Sequence, residues 1–211
     1  ATRSEQKAFD VPAAIDSVSS EQLQLFQPKV NLSEALNRVP GISVQNRQNY
    51  AQDLQVTSRG FGSRAQFGVR GVRLIADGVP ATMPDGAGQA ATFSLGSADR
   101  IEVMRGPFAA LYGNASGGLI QIFTADGPPV PEIGAEIWAG AYGSARLALR
   151  AAGQSGPVNY LGDVSRFTTD GYRDHSAATR DHANARLRIG LDDGSRLSFV
   201  LNALKQADTQ D

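Results

Sequence analysis

Residues 99–124, DRIEVMRGPFAALYGNASGGLIQIFT, constrain the chain more than any other stretch. Two apolar β-runs, one carrying Ile101, Val103 and Met104 and the other Leu119, Ile120, Ile122 and Phe123, enclose a segment dense in turn formers. Pro107 cannot continue a strand ladder, but its fixed φ suits the first turn of a helix, which predicts a short helix over 108–111. Gly113 and Asn114 accept the left-handed conformation that closes such a helix, and Gly117 and Gly118 turn the backbone tightly into the second run. A strand, a short helix and a strand in so few residues predict a compact parallel or mixed sheet.

The preceding residues carry the punctuation of short elements. Residues 11–18 read as a strand. Ser19 or Ser20 then opens a helix through Leu23, Leu25 and Phe26, with Glu21 in its acidic first turn, and Pro28 breaks it. A second helix opens at 31–34 with Leu32, Leu36 and Val39 on one apolar face; Pro40 and Gly41 end it, and 42–44 begin a strand. Residues 46–53 form a polar, amide-rich connection of open orientation. Asp77-Gly78 reads as a tight turn. Two loops, 62–68 with Arg64, Gln66 and Phe67, and 80–92 with Met83, Asp85 and Gln89, mix turn formers with isolated large apolar and hydrogen-bonding side chains. That composition suits a ligand-facing surface.

At 126–131, Asp-Gly-Pro-Pro-Val-Pro, the prolines cannot sit inside a sheet, and a boundary is expected there, giving a first domain over 1–128 and a second over 129–211. Beyond it the period becomes two. Ile133, Ala135 and Ile137 alternate with Glu132, Glu136 and Trp138; Leu147 and Leu149 with Arg146 and Arg150; Leu187 and Ile189 with Arg186 and Arg188; Leu197, Phe199 and Leu201 with Arg196, Ser198 and Asn202. Segments of this length, apolar on one side and charged on the other, predict barrel strands near 132–142, 144–153, 157–168, 183–191 and 196–205. Short turns at 153–157 and 192–195 and a long polar connection over 168–182 alternate as an up-and-down barrel requires. A barrel of five strands cannot close, so the barrel is incomplete in this chain. A soluble sandwich would also alternate, with fewer arginines on one face.

Bulk properties exclude several classes. Net charge is −1, which offers nothing to nucleic acid, and with no cysteine there is neither a disulfide nor a thiolate metal site. No apolar run approaches the roughly 20 residues of a spanning helix, a test that barrel strands escape. His175 and His182 with Asp170, Asp174 and Asp181 are too loosely spaced to predict a metal site. The sequence contains no nucleophile elbow, phosphate loop or HExxH, so neither an enzyme nor a cofactor is expected.

The run IEVMRGPFAALYGNASGGLIQI, with VTSRGFG at 56–62 and VRLIADGVP at 72–80, resembles the plug-domain signature of TonB-dependent outer-membrane receptors. The resemblance implies an α+β plug domain, a small mixed sheet with short helices, followed by antiparallel strands of a transmembrane β-barrel. It further implies residence in the outer membrane, with the plug in the barrel lumen and lipid outside. Active uptake of a small ligand would be driven by the TonB energy-coupling protein through a box upstream of this chain, Ala1 to Arg3 looking like its trailing edge. Arg59 and Arg105 match family arginines that pair with barrel-wall glutamates and anchor the plug; their partners would lie beyond residue 211. The runs at 30–54, 80–86 and 166–176 are similar to one subgroup, the receptors for pyrroloquinoline quinone. Ferric siderophores are the second ligand class implied, and a soluble ligand-binding module is the reading from another class.

Overall fold

The computed structural model describes residues 14–24, 27–46, 50, 52–65, 68–83, 85–106, 109–113 and 115–209, and two compact units divide the chain. The first is drawn from 1–47, 52–93 and 100–123; the second from 48–51, 94–99 and 124–211.

In chain order the first part comprises β1 (Ala14–Ser19), α1 (Ser20–Gln24), α2 (Ser33–Leu36), β2 (Ile42–Gln45), β3 (Gln55–Ser58), β4 (Val69–Arg70), β5 (Val72–Ala76), β6 (Val79–Pro80), β7 (Ala87–Gly88), β8 (Ala98–Arg105), α3 (Ala109–Tyr112) and β9 (Gly118–Thr124). They form two small sheets, ordered β1-β8-β9-β5-β6 and β2-β3-β4-β7. Both are mixed: β1 runs antiparallel to β8 and β5 parallel to β9, while β3 is parallel to β4 and antiparallel to β2. The mixed sheet with short helices expected from residues 99–124 is therefore present, α3 lying between β8 and β9 as predicted.

Burial explains the order. β9 is nearly continuous in apolar residues, as a central strand covered on both faces should be, and Leu119 and Ile120 are fully buried. Ile75, Met104 and Leu119 form a core cluster against which Ile15 and Tyr112 pack. Gly118 is dictated by space: its φ is 127°, and a Cβ there would stand 2.4 Å from the Met104 carbonyl oxygen. Asp77 and Gly78, at φ 48° and 84°, make the tight turn between β5 and β6, a two-residue hairpin of the left-handed kind that matches strand twist. The Glu34 carboxylate, in the first turn of α2, accepts the backbone N–H groups of Lys29, Val30 and Asn31 at 2.7, 3.0 and 2.8 Å, fixing the turn that leads into the helix. Leu32, Leu36 and Val39 are buried, as their spacing predicts.

The second unit is dominated by β10 (Glu132–Ala139), β11 (Ala145–Ser155), β12 (Val158–Thr169), β13 (Ala178–Gly190) and β14 (Arg196–Asp208). Each pairs antiparallel with the next, in chain order, so the sheet is an open meander with β10 and β14 at its edges. β11 to β14 have 11, 12, 13 and 13 residues, at or above the roughly 9–11 that span a bilayer when tilted. The long connection expected over 168–182 is shorter: β12 reaches Thr169 and β13 starts at Ala178. His182 therefore lies in a strand, its ring nitrogen Nε2 3.2 Å from Asn202 Nδ2, because the ladder extends through Arg166 opposite Asp181. Connections 140–144 and 170–177 meet at one end, where the Tyr142 and Tyr172 rings are 5.9 Å apart and the Asp170 N–H donates to the Tyr142 carbonyl. At the other end, in the turn joining β13 to β14, the hydroxyl and backbone N–H of Ser195 hold the Asp193 carboxyl below the ordinary carboxylate range.

Candidate functional site

The five-stranded wall inverts the usual distribution of polarity. In-register pairs such as Ala135 with Leu149, Leu149 with Val164 and Leu187 with Phe199 place one set of side chains on a common face. That face is bare: Ile133 is 89% and Leu201 62% exposed, and Ile137, Leu147, Leu149, Val164, Leu197 and Phe199 are exposed with them. The opposite face carries Arg146, Asp163, Arg180, Asn184 and Arg186, all buried, Arg146 to 3%. Burying a large aliphatic side chain is worth roughly 1.5–3 kcal/mol, so in water the bare face would forgo an amount comparable to the roughly 5–15 kcal/mol by which domains are stable. In hydrocarbon nothing is forgone. The apolar-out, polar-in alternation is that of a transmembrane barrel wall. On the bare face the charged side chains Arg166, Asp181 and Lys205 stand directly opposite one another on β12, β13 and β14, toward the 170–177 connection.

The buried face is occupied by backbone from elsewhere in the second unit. Asn184 Nδ2 donates to Ser97 Oγ at 2.8 Å. Arg186 donates to the carbonyls of Thr124 and Ala125 and pairs with Asp126, which also takes Arg188 Nη1 at 2.6 Å. Asn159 holds both the N–H and the carbonyl of Gly127. Gly96 admits no side chain, since a Cβ there would come within 2.9 Å of Arg146 Nη2 and Asp163 Oδ1. Tyr50, from the polar connection 46–53, lies with its ring 5.2 Å from Phe167 while its carbonyl accepts from Gln206. This places Tyr50 toward the 170–177 end of the strands.

The two loops with ligand-facing composition converge in the first unit. Val69 pairs with Gly88 and Arg70 with Ala87, so β4, which follows the first loop, and β7, inside the second, are neighbours in one sheet. Arg64 is exposed in the turn over 62–64, and Gln55 Nε2 braces that loop by donating to the carbonyls of Ser63 and Ala65. Gln66 and Phe67 fall outside the described residues. Met83 is 70% exposed, Asp85 accepts the Ala87 N–H at 3.0 Å, and Gln89 is exposed. Arg59, at φ 48°, is exposed, and its N–H donates to the Gly41 carbonyl. Arg105 donates to the Pro40 carbonyl at 2.7 Å and pairs with Asp16, and its Nε is buried with no partner among the described residues. No group of three or more metal-ligating side chains is assembled among the described residues.

Sequence reasoning missed the grip of Asn184, Arg186 and Arg188 on residues 97 and 124–126. Its signal was the arginine pair on the alternating polar face; Asp126 was read only as the edge of a proline-rich boundary.

Residues 7–119 match the TonB-dependent Receptor Plug Domain family. The chain is 37% identical over 142 residues to the vitamin B12 transporter BtuB of Photobacterium profundum, a match covering 66% of this chain and 22% of that protein. Among solved structures, the pyoverdine outer membrane receptor FpvA from Pseudomonas aeruginosa PAO1 superimposes with a TM-score of 0.74 at 20% identity, covering 95% of this chain and 29% of that one. The ferric yersiniabactin uptake receptor FyuA from Yersinia pestis does so at 0.69 and 24% identity, covering 92% and 32%. The chain thus spans about a fifth of the curated relative and about a third of the solved ones. With more than half of its residues inside the plug-family match and an inverted strand wall following, the chain belongs to the TonB-dependent receptors.

Proposed function

We propose that the chain is the part of an outer-membrane receptor that closes the pore and begins its wall, and that the receptor takes up a scarce small ligand by TonB-dependent active transport. One observation carries this: a plug-family fold is followed by strands whose apolar face is bare and whose charged face is buried. Residues 1–128 are assigned to the plug and 129–211 to the wall. The partners are outer-membrane lipid, the ligand and the coupling protein, and no covalent chemistry is required.

The ligand we assign is pyrroloquinoline quinone, on the likeness of 30–54, 80–86 and 166–176 to that receptor subgroup. Three carboxylates on a planar ring suit guanidinium forks beside aromatic platforms. Arg64, Gln66, Phe67, Met83, Asp85 and Gln89 are assigned to the ligand-facing apex, supported by the exposure of Arg64 and Met83 and the convergence of their two loops. Arg59 and Arg105 are assigned to plug anchoring, to which Arg105 brings a buried Nε that has no partner among the described residues. Ferric siderophores are the second reading, favoured by the fold shared with FpvA and FyuA.

Calorimetric titration of the full-length receptor in detergent tests the assignment, with the quinone, a ferric siderophore and vitamin B12 as separate titrants. The quinone is expected to bind, and Arg64→Ala to weaken it about tenfold to a hundredfold, the loss of one charge-assisted hydrogen bond. Binding of the siderophore or of B12 alone would overturn the quinone and leave the uptake reading in place.

A further inference from the structure

We infer that Asn184, Arg186 and Arg188 of β13 act as a clamp, fixing to the wall the two segments from which β8 begins and into which β9 ends, and that this grip persists while other parts of the plug rearrange. The inference rests on the plugged-receptor reading given above. The geometry is unlike a scatter of surface contacts. The Arg186 guanidinium is buried and divided among the Thr124 carbonyl, the Ala125 carbonyl at 2.9 Å and the Asp126 carboxylate. Arg188 takes the same Asp126 oxygen at 2.6 Å. Asn184 donates to Ser97 Oγ at 2.8 Å, and its own Oδ1 is fixed by Asn202 Nδ2 at 3.2 Å. The Ala125 N–H donates to the Ser97 carbonyl at 2.8 Å, so the two gripped segments are also tied to each other. Gly96 lets this backbone lie against Arg146 and Asp163.

Two physical consequences follow. Withdrawing residues 124–126 would strand a buried guanidinium without its carbonyl and carboxylate acceptors, which costs far more than an exposed ion pair contributes. The grip is therefore held or lost as a unit. β1, by contrast, is an edge strand whose only partner among the described residues of its sheet is β8. It can leave that sheet without breaking another strand pair. The N-terminal strand is the separable piece, and the stretch gripped by β13 is the retained one.

The test is planar-bilayer conductance of the full-length receptor in potassium chloride, with urea raised stepwise to loosen the plug. Arg186→Ala and Asp126→Ala are each expected to conduct at urea concentrations where the wild type stays closed, with at least a tenfold rise in open probability. The double variant should add little to either, as members of one network do. Lys205→Ala, on the bare face, should behave as wild type. Should Arg186→Ala yield no folded, heat-modifiable barrel, Asn184→Ala removes the Ser97 contact without stranding a charge and is expected to shift opening in the same direction. Wild-type closure in Arg186→Ala, or in Asn184→Ala where that variant is used, or full additivity in the double variant, would overturn the clamp. The readout uses neither a transported ligand nor a coupling protein, so a failed ligand titration and a failed clamp are separate results.

Discussion

Leu149→Arg is expected to lower the equilibrium constant for folding of the receptor into a bilayer by more than about tenfold. Leu149 stands in the middle of the bare face, opposite Ala135 on β10 and Val164 on β12, and is half exposed. If that face meets hydrocarbon, an arginine near the bilayer midplane costs about 2–4 kcal/mol, lowering the equilibrium constant for folding into the membrane by roughly thirtyfold to several hundredfold and moving the urea midpoint down accordingly. Urea titration of the receptor in lipid vesicles, read by heat-modifiable mobility on a gel, measures this directly. A soluble sandwich predicts otherwise: an arginine at an exposed strand position usually changes stability by less than about 0.5 kcal/mol. The next inward-facing position but one on the same strand, Arg146, is an arginine the fold already buries.

The second large effect is expected at the centre of the plug. Gly118→Val places a β-branched side chain where φ is 127° and where even a Cβ would come within 2.4 Å of the Met104 carbonyl oxygen. Backbone strain of about 1–3 kcal/mol adds to about 1–3 kcal/mol of overpacking, and relief requires β9 to move away from the end of β8. Amide hydrogen exchange at Ile120 and Ile122 should quicken by about a hundredfold or more in the full-length receptor. Gly134→Ala, at a wall position where an added Cβ meets nothing within 4 Å, should leave those rates unchanged.

These two positions also mark how much the sequence made legible. The plug core could be read because its signals are local: turn formers at 113–118, continuous apolar runs on both sides and a proline that permits only a helix start. The wall could be read because a period of two survives along each strand whatever surrounds it. Strand ends were less legible. The ladder from Thr168 to Thr179 and the Arg166–Asp181 pair lengthen β12 and β13 past the polar residues that looked like loop, and such pairing exists only once the strands are side by side. Candidate contacts were the least legible. Asp126 lies 60 residues from Arg186 in sequence, and Tyr50 lies 156 from Gln206. No local pattern connects residues so distant. Arg105 shows the converse: its motif suggested an anchor beyond the chain, and within the chain it already meets Asp16 and the Pro40 carbonyl.

The central claim is that the apolar face of the β10–β14 sheet is a lipid face. It is tested most directly by spin labels placed singly along β11 and β12, at 145–151 and 160–166, in the full-length receptor reconstituted in lipid vesicles. Labels at Leu147, Leu149 and Val164 are predicted to be readily relaxed by oxygen, which concentrates in hydrocarbon, and protected from a water-soluble nickel chelate. Labels at Ala148 and Asp163 should be shielded from oxygen, so that accessibility alternates with period two. High chelate accessibility at Leu147, Leu149 and Val164 would put that face in water and contradict the account.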